Sequence, residues 1–189
     1  MNYKPGDIIG ITGVMGAGKS YFAKNIFKGT PYDYDINIIE IDDIRRDLLW
    51  ESNQPLAKNL RQEIIKNFNI LEYDEYFFFD RVKFTEYIFS NEEILKKMNF
   101  LCKEFFIQEI KNKCKEDKIN LLIWVNLIEE NYLNIINSII FIDINEALWI
   151  KRNKNNSLFD TRIKLQTNIE SKKELLNNVN VHYEVFKNE

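Results

Sequence analysis

The sequence predicts an α/β fold: a five-stranded parallel sheet flanked by helices. Five short runs rich in Ile, Val and Leu are separated mostly by segments with helical periodicity, and parallel strands need such crossovers. One of the runs, Leu121-Leu122-Ile123-Trp124-Val125, is apolar at every position, the pattern of a strand buried on both faces. A glycine-rich stretch, Gly13-Val14-Met15-Gly16-Ala17-Gly18-Lys19-Ser20, follows the first run directly and opens a helical pattern.

That stretch fits G-x-x-x-x-G-K-[ST] without a mismatch, in the strand-loop-helix context that the motif requires, so the fold predicted is that of a P-loop NTPase. Glycines let the backbone bend until its amides point at a phosphate, and the helix that follows adds the partial positive charge of its N-terminus. Gly13, Gly16, Ala17, Gly18, Lys19, Ser20 and Tyr21 are the expected nucleotide-binding residues, with Lys19 on the β- and γ-phosphates of ATP and the Ser20 hydroxyl on Mg²⁺. The motif specifies a nucleotide and leaves kinase, hydrolase and switch open.

Taken in order, residues 7–12 form the first strand and residues 21–27 the first helix, which Gly29-Thr30-Pro31 ends. Residues 36–41 are β-branched and read as the second strand, followed by Asp42-Asp43. Residues 44–117 are mainly helical, with a break at 52–55 and an aromatic cluster at 73–79. Such a stretch is too long for a simple crossover and predicts a helical insertion over one edge of the site. Asn91 with Glu92 and Glu93 predicts a helix start. Residues 138–143 form the fourth strand, after which Asn145 caps a helix carrying Lys151-Arg152. A polar segment within 151–160 reads as a lid, a helix spans 160–177, and residues 179–185 alternate as an edge strand. The expected organisation is one domain over 1–189, with 7–43 and 118–189 as the nucleotide-binding core.

Lys+Arg 26 against Asp+Glu 29 gives a net charge of -3, which argues against a broad nucleic-acid footprint. No apolar run approaches a membrane span, and no leader precedes the first strand, so a cytoplasmic protein is expected. Monomer and homo-oligomer both fit the composition. Cys102 and Cys114 lie on one helical stretch, about 18 Å apart at the helical rise, too far to bridge. Both read as buried thiols in a reducing compartment.

Asp42 is the expected general base, because carboxylates beyond the C-terminal ends of parallel strands face the ligand crevice. Glu40, Asp43 and Asp47 compete for that role, and helix capping is the alternative for Asp42. Arg152 either grips phosphate oxygens in the transition state or complements a helix C-terminus. Arg81 contacts the acceptor or pairs with a neighbouring acid; Glu130 orients a Mg²⁺ water or caps the next helix. His182 reads as a surface residue on the edge strand. The aromatics at 76–79 read as core before a base-stacking platform.

Together these pieces resemble the dephospho-coenzyme A kinase family. Ile9-Gly10-Ile11-Thr12-Gly13 with the phosphate loop, Asp42 after the second strand, and Arg81 followed by Tyr87-Ile88-Phe89-Ser90-Asn91 are similar to its motifs. So are Val125-Asn126-Leu127-Ile128-Glu129-Glu130, Lys151-Arg152, and Arg162-Ile163 with Gln166. The resemblance implies transfer of the γ-phosphoryl group of ATP to the ribose 3′-hydroxyl of dephospho-coenzyme A. It implies Asp42, Lys19 and Arg152 in catalysis, Arg81 and Glu130 in substrate binding, and an acceptor-binding role for the helical insertion. Three departures stand out: Cys102-Lys103 for His-Pro, Asn126 for a proline, and Asn155 or Asn156 where a second lid arginine is expected. A deoxynucleoside kinase is the alternative, since Phe79-Asp80-Arg81 resembles that family too, although Val82 follows. A nucleotide-dependent switch lacks both the Asn-Lys-x-Asp and the Asp-x-x-Gly signatures.

Overall fold

Thr12, the last residue of the strand before the glycine-rich loop, is fully buried, which places the loop at the heart of a sheet. In a computed structural model that describes residues 3–27, 35–153 and 168–188, this strand is β1, Ile8–Thr12. It lies in the middle of a sheet of order β2-β3-β1-β4-β5, in which every neighbouring pair is parallel. The remaining strands are β2 (Ile36–Glu40), β3 (Ile119–Ile123), β4 (Ser138–Ile144) and β5 (His182–Asn188). The predicted parallel α/β sheet is the one observed.

The helices are α1 (Lys19–Tyr21), continuing as a wider π-helical coil over Phe22–Ile26, and α2 (Ile41–Arg46), continuing likewise over Asp47–Glu51. They are followed by α3 (Pro55–Phe68), α4 (Arg81–Phe89), α5 (Glu92–Lys113), α6 (Glu146–Asn153) and α7 (Ile169–Asn177). The chain divides into two compact units, residues 1–40 with 114–189, and residues 41–113.

In the first unit, Ile9 and Ile11 of β1 pack with Leu121 and Ile123 of β3, Ile140 and Ile142 of β4, and Phe22, Ala23 and Phe27. Several strand boundaries differ from expectation. β3 covers 119–123 rather than 121–125, because it pairs with β1 and β2 at once and leaves both ladders after Ile123. It therefore includes Asn120, fully buried yet satisfied: its Oδ1 accepts from Asn37 Nδ2 (2.9 Å) and its Nδ2 donates to the Lys115 carbonyl (3.0 Å). β2 ends at Glu40, since Ile41 already starts α2. β5 lies three residues later than 179–185; alternation reports a period of two and is blind to where pairing begins. His182 is exposed at the start of this edge strand, as expected. The helical stop at 29–31, the lid departures, and Arg162, Ile163 and Gln166 lie outside the described residues.

In the second unit, the break at 52–55 is real: Ser52 is extended and Pro55 opens α3, where a missing N–H costs nothing. Asn91 starts α5 as expected, its Oδ1 accepting from Glu93 N (2.8 Å). Asp80 starts α4, accepting from the backbone N–H groups of Val82 (2.9 Å) and Lys83 (3.0 Å). Phe79 and Phe84 meet edge to face at 4.7 Å, so this part of the aromatic cluster is core. Cys102 is buried in α5, whereas Cys114, just past its end, is only half-buried, contrary to the expectation of two buried thiols. Both are free.

Arg61 has no exposed surface, which its type alone would not suggest. Its guanidinium donates to the carbonyls of Leu48 (2.8 Å), Ser52 (2.9 Å) and Tyr76 (3.0 and 3.1 Å) and lies 4.0 Å from the Phe78 ring centroid. It ties α3 to two irregular segments whose carbonyls have no helical donor. Arg61→Ala should lower the unfolding free energy by about 3 kcal/mol or more, because three acceptors lose their donor at once. Asn59→Ala, on the exposed face of α3, should stay within about 0.5 kcal/mol. Urea denaturation of both variants checks this.

Candidate active site

The loop between β1 and α1 takes its shape from glycines at positive φ. Gly16 has φ 78°, and a Cβ there would come within 2.5 Å of Asn153 Nδ2. At Gly13, φ 142°, a Cβ would lie 2.6 Å from the backbone oxygen of Ile142, which cannot yield as a side chain could. Any side chain at these positions would fill the cradle or push it off the sheet.

Neighbouring elements hold the loop by its carbonyls. Trp149 Nε1, on α6, donates to Met15 O (2.6 Å), and Asn188 Nδ2, at the end of β5, donates to Ala17 O (2.7 Å). In a trans peptide the N–H points opposite to the carbonyl, so each bond leaves the amide that follows, of Gly16 or of Gly18, facing away from its donor. Lys19 is buried, its Nζ donating to the carbonyls of Gly13 (3.2 Å) and Val14 (2.9 Å). Ser20 is half-buried in α1. Tyr21 is 64% exposed. Arg152, in the last turn of α6, brings Nη1 to 3.4 Å from where a Cβ on Gly18 would stand, so its guanidinium flanks the cradle. A glycine-shaped loop opening a helix, a lysine within it and an arginine beside it make an anion site fitted to a polyphosphate.

Glu130 accepts from Trp124 Nε1 (3.0 Å) and Asn126 Nδ2 (3.3 Å) in the turn after β3. The next helical turn, the 3₁₀ turn Leu133–Ile135, starts from Tyr132 with no side-chain cap, so Glu130 does not cap it. Beside it, Lys172 of α7 is 1% exposed; its Nζ donates to Val125 O (2.7 Å) and pairs with Glu129. Burial pushes the Lys172 ammonium below its ordinary pKa, and Glu129 opposes that shift. Neither residue stood out in the sequence, since nothing local signals a buried lysine whose counter-charge lies 43 residues away.

The second unit holds its own cluster. Asp42, in the first turn of α2, lines a cavity of about 200 Å³ with Arg45, Arg46, Trp50, Arg81 and Phe84. Arg81 lies over the Trp50 ring, 5.8 Å from its centroid. Two of the carboxylates that compete with Asp42 are engaged: Glu40 pairs with Lys24 (3.4 Å), and Asp43 accepts from Arg46 (2.8 Å). The sequence had singled out Asp42 and Arg81, 39 positions apart, and the fold brings them to one cavity; Arg45 and Arg46, which share it, passed unnoticed as ordinary helix charges. No group of three or more His, Cys, Asp or Glu residues arranged to hold a metal occurs among the described residues. No described helix is long and apolar enough to cross a membrane.

A sequence profile of the dephospho-CoA kinase family matches residues 7–185. The chain belongs to this family. It is therefore an ATP-dependent kinase, a transferase of coenzyme A biosynthesis. Among solved structures, a protein from Thermus thermophilus shares 19% identity over 99% of this chain and 90% of that one, with a TM-score of 0.66. A dephospho-CoA kinase from Campylobacter jejuni shares 22% identity over 96% and 87%, with a TM-score of 0.53. At these identities the two structures speak to the fold. No curated protein matches the chain.

In this dephospho-CoA kinase, Gly16→Ala tests the cradle directly. The added methyl meets Asn153 and strains a positive φ. ATP affinity measured by calorimetry should fall about tenfold or more, which corresponds to about 1.4 kcal/mol.

Proposed function

We propose that Asp42 is the general base of this kinase and that the arginines around it receive the phosphates of dephospho-coenzyme A. The observation supporting this is the composition of the α2–α4 cavity: one exposed carboxylate, Asp42, among Arg45, Arg46 and Arg81, with Asp43 already committed to Arg46. An acceptor that offers a hydroxyl together with a pyrophosphate matches a carboxylate set among guanidiniums. A plain deoxynucleoside brings no phosphate for these guanidiniums.

In the reaction, the ribose 3′-oxygen attacks the γ-phosphorus of ATP, the bond from that phosphorus to the β,γ-bridging oxygen breaks, and ADP leaves. Asp42 accepts the proton of the attacking hydroxyl. Lys19 is placed to leave the loop carbonyls for the β- and γ-phosphate oxygens, and Arg152, flanking Gly18, adds charge as the phosphoryl group transfers. The Ser20 hydroxyl would hold a Mg²⁺ ion, which would supply charge neutralisation to the transferred phosphoryl group. Glu130, fixed by Trp124 and Asn126, is assigned to substrate binding in this reading. We place the reaction in the cytoplasm, a compartment that suits two cysteines without a disulfide.

Asp42→Asn keeps the shape of the side chain and removes its basicity. Turnover at saturating ATP and dephospho-coenzyme A should fall by about 10² to 10⁴-fold with the acceptor still binding. Asp43→Asn should fall far less. Equal losses, or a larger one at Asp43, would move the base to the neighbouring carboxylate.

Arg152→Ala reads the other side of the transfer. Its turnover number should drop more than its ATP affinity, as befits a group acting on developing charge. Unchanged turnover would reduce Arg152 to a helix-terminal charge.

A further inference from the structure

The Val125 carbonyl, just beyond β3, is a junction. One hydrogen bond comes from Thr12 Oγ1 (3.0 Å), the residue before the phosphate loop, and another from Lys172 Nζ (2.7 Å) on α7. A carbonyl oxygen has two lone pairs, and here both carry a bond. On the far side of Thr12, Gly13 lies so close to the Ile142 carbonyl that not even a methyl group fits. The point where the chain leaves the sheet to form the cradle is thus gripped from β3 and from β4.

Lys172 is an expensive way to make that grip. A buried ion pair such as Lys172 and Glu129 is often matched or bettered in stability by apolar residues of similar volume. Apolar side chains would hold α7 against the sheet, but none would bond to Val125. What the ammonium adds is direction: it pulls on one backbone oxygen and, through Glu129, on the turn that carries Glu130. The next residue, Lys173, reaches Asp143 at the end of β4 (3.3 Å) with its side chain partly in solvent.

We propose that Lys172 is a positioning residue for phosphoryl transfer: by sharing the Val125 carbonyl with Thr12 it sets where the phosphate loop departs from β1. The inference rests on the kinase reading above.

Two full-length variants test it. Lys172→Met combined with Glu129→Met removes the pair without stranding a charge, and Thr12→Val removes the other bond to Val125 while keeping the side-chain volume. For both, turnover with dephospho-coenzyme A should fall about tenfold or more, with ATP affinity changing less, since displacements near 1 Å cost up to about 100-fold in rate. Urea midpoints of the double variant should equal or exceed that of the wild type. Hydrogen exchange of the amides of residues 13–20 should quicken in both. Lys173→Met should behave as wild type in every measurement.

A folded double variant, or Thr12→Val, that keeps wild-type turnover and loop exchange would overturn the proposal. Should the double variant not fold, Thr12→Val decides alone. A wild-type protein that fails to phosphorylate dephospho-coenzyme A would overturn the assigned acceptor instead, and the loop exchange rates would still judge the role of Lys172.

Discussion

A polyphosphate is bound by backbone only if successive amides are turned the same way, and a free glycine-rich loop has no reason to hold that shape. Here the constraint is met from behind. Trp149 and Asn188 hold the carbonyls of Met15 and Ala17, from α6 and from the end of β5, and the planarity of each peptide turns the next amide away from its donor. Parallel strands make this possible: all five end on the same side of the sheet, so residues far apart in sequence arrive at one rim. The same elements serve the chemistry, since α6 also carries Arg152 and Asn153 to the loop.

The second unit follows a different logic. Its helices bury aromatic and aliphatic side chains against α5, and the irregular segments between them are held by Arg61 rather than by further helix. A rigid frame lets exposed charges keep fixed places, and Asp42, Arg45, Arg46 and Arg81 surround one small cavity. Of the two adjacent acids, Asp43 is the one paired with Arg46.

The phosphate loop, the parallel sheet and the helical character of 41–113 were legible in the sequence because each rests on local pattern: glycine spacing, uniform apolar runs, helical period. The family resemblance was legible for the same reason. Strand ends were less so; β3 and β5 are displaced from expectation because pairing register depends on the neighbouring strands. Least legible were the residues that act across the fold. Asn188 and Trp149 look like an edge-strand amide and a helix aromatic until the loop lies beneath them, and Lys172 reads as one charge of a solvated helix. Arg61 had no local cue either, since its three acceptors are backbone carbonyls in other segments.

The central claim is that this kinase transfers the γ-phosphoryl group of ATP to dephospho-coenzyme A. Coupled ADP release, followed with ATP and Mg²⁺ while dephospho-coenzyme A and a panel of deoxynucleosides are offered in turn, tests it most directly. The account predicts rapid ADP release with dephospho-coenzyme A, its product carrying phosphate on the ribose 3′-oxygen, and only background release with deoxynucleosides. Faster release with a deoxynucleoside, or phosphate on any other oxygen of the acceptor, would contradict it.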